Sequence, residues 1–249
     1  MRKRIKNNIL PYKRGVVLIG IAVLLLVGGL TFVIGDERKL PIYCVDTDEK
    51  IVAISFDAAW GNDHTIPILD ILDEYDVKTT FFLVNFWAEK YPDDVKEIAK
   101  RGNEVGNHSA THPDMTGLSK EQMIDELCKT GETIESLTGQ MPRLFRPPFG
   151  AYNDALIETC EELGYKVIQW SIDSLDWKEL SADEIVHRIL SRVEPGSIVL
   201  FHNNATHVEE YLPRILEGLK TEGYEIVPIG ELIYWDDYYI DSSGKQILN

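Results

Sequence analysis

Ile51-Val-Ala-Ile-Ser-Phe-Asp57-Ala-Ala-Trp-Gly61 is the stretch on which the fold turns. Six residues of strand type run without polar alternation, then a carboxylate appears, then small residues and a glycine. An unbroken apolar run of strand length marks a strand covered on both faces, the habit of parallel sheets. Shorter strand-like segments, several with polar residues at their ends, follow at 79–84, 103–106, 143–146, 166–170, 197–201 and 224–228. Helical patterns fill the gaps, at 64–75, 87–101 with a break at Pro92, 119–138, 153–163, 181–192, 208–221 and 230–234. Ser119 with Gln122 and Ser181 with Glu184 have capping-box spacing, Asn153 is an N-cap, and Gly164 is a stop. Seven strand–helix units imply right-handed crossovers and a parallel sheet, either closed into a barrel or open and doubly wound. No glycine-rich fingerprint follows the first strand, which argues against a nucleotide cofactor.

The unusual polar residues collect where strands end. Asp57 ends the first, His108 and His112 follow the third, Arg146 closes the fourth, Asp173 and Asp176 follow the fifth, and His202 follows the sixth. In α/β barrels these ends share the face that carries active sites. His108 and His112 stand four residues apart, a spacing that lets two imidazoles grip one metal ion, although surface or capping histidines would read the same. Pro113 disfavours helix at His112, so a turn or loop is expected there. Asp57 at the end of a buried strand is costly unless paired or used, and capping a helix is its plain alternative. Arg146 suits a bidentate grip on a carboxylate, whether catalytic or structural. His202 suits a general acid tunable near neutral pH. Trp177 reads equally as a pocket wall or as core.

Working outward, the N-terminus is of another kind. Six basic and no acidic residues lie in 1–14, and 15–35 carries no charge at all. Such a run suffices to cross a bilayer, and the basic head predicts a cytoplasmic N-terminus with the rest exported. The expected organisation is a head (1–14), a transmembrane signal anchor (15–35), a stalk (36–50) and one domain (51–249). Of 25 Lys+Arg, 19 lie after the anchor against all 41 Asp+Glu, a net of −22 for the exported part. So acidic a body argues against a nucleic-acid partner. Three cysteines, Cys44, Cys128 and Cys160, cannot all pair within the chain, and none sits at metal-ligand spacing.

The ordered set Ser55-Phe-Asp57, His108-Ser-Ala-Thr-His112, Arg146-Pro-Pro-Phe-Gly150, Asp173-Ser-Leu-Asp-Trp177 and Leu200-Phe-His202 resembles the polysaccharide deacetylase family. This is the NodB-homology group, or carbohydrate esterase family 4, and the match spans about 51–232. The Ser-Phe-Asp-Ala-Ala-Trp-Gly variant with an N-terminal anchor looks most like its PdaB-type sporulation members. The resemblance implies a distorted (β/α)7 TIM-like barrel. It implies Asp57 as catalytic base, His108 and His112 as metal ligands, and Arg146 as the group orienting the base. It further implies Asp173 as support for Arg146 and His202 as general acid, with Trp60, Phe149, Trp177 and Leu200 against substrate. The implied cofactor is a divalent metal, zinc before cobalt or manganese.

One position departs from the family pattern. The usual second Asp of the first motif, the third metal ligand, is Ala58 here, and a methyl group coordinates nothing. Catalytic zinc normally keeps three protein ligands, so the ion should be weakly held unless Asp63 or Asp114 substitutes. The expected activity is removal of N-acetyl groups from amino sugars of peptidoglycan in cortex or wall maturation. The expected alternatives are a catalytically impaired glycan-binding scaffold, or an esterase or deacetylase of another polymer.

Overall fold

The computed structural model describes residues 38–178 and 180–249. The anchor at 15–35, with the membrane attachment and topology read from it, lies outside the described residues. Among the described residues no helix is long and apolar enough to cross a membrane.

Lys39–Asn249 form one compact unit. In chain order it comprises β1 (Cys44–Val45), β2 (Ile51–Ala58), α1 (Thr65–Glu74), β3 (Thr80–Leu83), α2 (Asn85–Lys90), α3 (Pro92–Lys100) and β4 (Glu104–Asn107). Then come α4 (Lys120–Thr138), β5 (Leu144–Phe145), α5 (Asp154–Glu162), β6 (Lys166–Val167), β7 (Ile172–Asp173) and α6 (Ala182–Leu190). The chain ends with β8 (Ile198–His202), α7 (Val208–Thr221), β9 (Glu225–Ile226), α8 (Ile229–Leu232), β10 (Tyr238–Ile240) and β11 (Lys245–Leu248). The expected caps form: Ser119 and Ser181 each make a full capping box, and Asn153 accepts from the Leu156 N–H. Pro92 divides α2 from α3, since its ring lacks the N–H a continuing helix needs.

The main sheet runs β6-β5-β4-β3-β2-β8-β7, with β9 pairing beside the start of β2, and its pairings are parallel. Strand β2 is covered on both faces, as its unbroken apolar run requires. Phe56 stacks on Phe81 (5.1 Å between centroids) and Phe201 (5.6 Å) in the layer under the helices. Ala53 packs on the opposite side with Phe82.

Two expectations need correction. The α/β class and the curled parallel sheet of a distorted barrel are present, but the sheet forms only part of a barrel and does not close. The run 166–170 breaks after Val167, and the edges β6 and β7 do not pair with each other. The cause is the segment read as a stalk, part of which is packed into the domain. Ile42 donates to the Val167 carbonyl and accepts from Gln169 N–H, while Val45 N–H reaches the Gly196 carbonyl. Ile42 and Val45 are buried, so this piece of chain stitches the seam that a continuous strand would have closed. β1 also pairs with the unanticipated terminal hairpin β10–β11. All three cysteines are free thiols, and Cys160 is a buried core residue.

Candidate active site

Parallel pairing fixes what each strand end presents. Asp57 on β2 and His202 on β8 are register partners on adjacent strands. His108 and Arg146 follow directly on β4 and β5, whose ends pair through Asn107 and Phe145. Nine of the ten expected site residues line one cavity of about 550 Å³, and Arg146 lies behind it, fully buried. Asp57, His108, His112 and His202 bring the polar groups. Trp60, Phe149 and Trp177 are 57%, 69% and 56% exposed, so they form the mouth and not the core.

Arg146 Nη1 donates to Asp57 Oδ1 at 2.8 Å, and Nη2 donates to the Gln169 carbonyl at 3.2 Å. The guanidinium lies 4.2 Å over the Phe82 ring, a cation–π seat that suits a buried arginine. Burial alone would push the Asp57 carboxyl up. The charges of Arg146 first and of His202 hold it below the usual carboxylate range, so Asp57 stays ionised at neutral pH.

His108 Nδ1 meets the Arg146 carbonyl at 2.7 Å. A carbonyl only accepts, so Nδ1 carries the proton and Nε2 keeps its lone pair, 3.5 Å from Asp57 Oδ2. Burial pushes His108 down and His112 down to about 4, leaving both imidazoles neutral and free to act as ligands. Their ring centroids stand 4.9 Å apart, and Phe149 and Trp60 flank His112 at 4.6 and 5.1 Å. The two histidines therefore fit a divalent ion as a pair of donors, with the His108 tautomer fixed by the Arg146 carbonyl. The set goes no further. Ala58 is wholly buried in the apolar layer, and among the described residues no three His, Cys, Asp or Glu side chains are grouped to hold an ion. Neither suggested substitute comes in: Asp63 is exposed and outside the cavity, and Asp114 caps a turn at Thr116.

One expected role fails. Asp173 lines the cavity but does not support Arg146; its Oδ1 accepts from the Leu175 N–H at 2.8 Å, and the Gln169 carbonyl takes its place. The carboxylate that matters beside His202 is Asp176. Its Oδ1 meets His202 Nδ1 at 2.7 Å, and its Oδ2 accepts from the His202 N–H at 2.8 Å and from the Tyr211 hydroxyl at 3.1 Å. Burial lowers the His202 pKa, but Asp176, with help from Asp57 and Asp173, lifts it above the ordinary imidazole value. Nδ1 is thus committed to Asp176, and Nε2 is the atom left to exchange protons.

A test follows for Asp176. An acid works only while protonated, so the rate should fall as pH rises through the His202 pKa. Asp176→Asn removes the charge that raises it. The basic limb of the kcat–pH profile should then move to lower pH, and a limb that stays in place would take Asp176 out of this role.

The polysaccharide deacetylase family model matches residues 45–168. YlxY of Bacillus subtilis, an uncharacterised protein, is 35% identical over 193 residues, covering 78% of this chain and 60% of its own. A peptidoglycan-N-acetylglucosamine deacetylase of Bacillus cereus is 34% identical over 194 residues, covering 76% of this chain and 91% of its own. The chain thus spans less than two thirds of YlxY, and 66% of another B. cereus protein of the same name. Among solved structures, the wild-type CE4 family pseudoenzyme of Bacillus anthracis superposes with a TM-score of 0.75 at 35% identity, covering 84% of this chain and 73% of its own. A mutant of that pseudoenzyme is described as having restored enzymatic activity. With two thirds or more of a 34%-identical deacetylase covered and the motifs gathered in one cavity, this chain belongs to the polysaccharide deacetylase family.

Proposed function

We propose that this chain removes N-acetyl groups from amino sugars of peptidoglycan, working outside the cytoplasmic membrane on an anchor formed by 15–35. The observation that carries this reading is the pair of dyads at one cavity, Arg146–Asp57 at 2.8 Å and Asp176–His202 at 2.7 Å, with Asp57 and His202 register partners on adjacent strands. One dyad keeps a carboxylate ionised, and the other shifts an imidazole toward its protonated form. Amide hydrolysis needs both a base and an acid. Asp57 takes a proton from the attacking water as its oxygen bonds to the acetyl carbon. His202 delivers a proton from Nε2 to the amide nitrogen as the C–N bond breaks, so acetate and a free amine leave. The exposed Trp60, Phe149 and Trp177 offer apolar faces on which a sugar ring can lie. A divalent ion at His108 and His112, zinc by preference, would supply Lewis-acid polarisation of the amide carbonyl. The uncharged run at 15–35 and the resemblance of the Ser-Phe-Asp-Ala-Ala-Trp-Gly stretch to that of sporulation members support a role in cortex or wall maturation.

The reading is tested on peptidoglycan digests. Incubation with the full-length protein should yield muropeptides lighter by one acetyl group; muropeptides of unchanged mass would count against it.

A second reading has its own observation. Ala58 removes a donor, and the B. anthracis relative with a TM-score of 0.75 is described as a pseudoenzyme. On this reading the cavity binds glycan without cleaving it. Ala58→Asp separates the two. An aspartate in this apolar layer is costly without a partner, so the metal-free variant should melt below the parent. With zinc at about 100 times Kd, binding adds about 2.7 kcal/mol to the stability of whichever form binds. The variant should therefore show the larger rise in Tm at a given zinc concentration. Acetate release by Ala58→Asp alone, with none from the parent, selects the glycan-binding reading.

A further inference from the structure

We propose that Glu126 is a positioning residue that holds the two-histidine seat in ligand geometry; the inference rests on reading His108 and His112 as that seat. The loop joining them is conformationally unfavourable by itself. Ser109 and His112 both have positive φ, 72° and 57°, and neither is glycine. Residues persist there only when their surroundings over-determine them. Here the surroundings are largely one helix. Glu126 on α4 accepts with Oε2 from the N–H groups of Ala110 and Thr111, each at 2.8 Å, and with Oε1 from the Thr111 hydroxyl at 2.7 Å. The flanking amides are also taken. Asn107 Oδ1 accepts from Ser109 N–H at 2.9 Å, and Ser109 Oγ accepts from His112 N–H at 3.0 Å. Asn107 is itself tied to α4 through the Leu127 carbonyl at 2.8 Å.

Four consecutive N–H groups, 109 to 112, thus end on side chains, and the Glu126 carboxylate occupies the centre of this amide nest as a bound anion would. Both its oxygens are committed to the loop, so Glu126 acts on the ion only through His112. The arrangement matters more here than in a site with three donors. With Ala58 contributing nothing, little coordination energy remains to order the loop at the moment of binding. Affinity then depends on a seat already in shape.

The experiment is a calorimetric titration of the metal-free, full-length protein with zinc. Glu126→Ala should weaken zinc by about 10–100-fold, the usual cost of removing an outer-shell partner. Glu126→Gln, whose amide oxygen can replace Oε2 and accept both N–H groups but carries no charge, should lose less and still bind measurably more weakly than the parent. Met123→Ala, a buried core change on the same helix, controls for lost stability and should melt lower with zinc affinity unchanged. In an Ala58→Asp background the Glu126→Ala loss should shrink. Parental zinc affinity in folded Glu126→Ala overturns the proposal. If that variant does not fold, parental affinity in Glu126→Gln overturns it equally. Absence of zinc binding by the parent overturns the seat itself, a different failure from the first.

Discussion

Asp57→Asn should lower acetate release by about two to four orders of magnitude, the span general-base catalysis covers. The substitution is nearly isosteric, and its amide oxygen can still accept from Arg146 at the position now 2.8 Å away. What it removes is the proton-accepting carboxylate, whose pKa Arg146 and His202 hold below the usual range. His202 and its Asp176 partner stay in place, so the loss should appear in kcat more than in KM. The rate is read on protein whose near-UV circular dichroism matches the parent. Retained turnover in such protein would remove Asp57 from the base role.

Arg146→Met should destabilise the fold by about 3–5 kcal/mol at neutral pH, the usual cost of breaking a buried ion pair by removing one partner. Methionine fills much of the arginine stem's volume over Phe82, so the loss reports charge more than packing. The pH dependence supplies a second reading. In the parent, the depressed Asp57 pKa contributes stability that is present above the unfolded carboxylate value and lost as pH falls through the folded one. Without Arg146, the largest opposing charge is gone and burial, opposed by His202 alone, raises that pKa, so the variant loses stability as pH rises through the raised value. The gap between parent and variant should therefore be widest near pH 7 and narrow toward about pH 4, the unperturbed aspartate range. Urea denaturation at both pH values measures it. A gap that does not change with pH would mean that Asp57 and Arg146 are not coupled.

Most of the cavity was legible because strand-end polar residues are expensive unless used, and parallel pairing brings strand ends together. Asp57, Arg146, His108, His112 and His202 needed only that argument. The choice between Asp173 and Asp176 did not follow, because two acids three residues apart in one loop look alike on paper. The 3₁₀ turn at Asp176–Lys178 brings Asp176 under His202, while Asp173 satisfies the Leu175 amide. Tyr211 and Gln169 were missed for a related reason: one sits in an apolar helical stripe and the other contributes a backbone carbonyl. The open seam escaped the reading because the residues that fill it, Ile42 to Val45, are too few to give a strand signal. The β10–β11 hairpin, with three and four residues a side around Ser-Ser-Gly, carries a signal just as short.

The most direct measurement is acetate release from N-acetylated peptidoglycan by the full-length protein, titrated with zinc after chelation. The expected result is no release without metal, release that saturates as zinc fills a weak site, and release about two to four orders of magnitude lower from Asp57→Asn at every zinc concentration. Glycan that binds the parent protein while no acetate appears, at every zinc level, would contradict it.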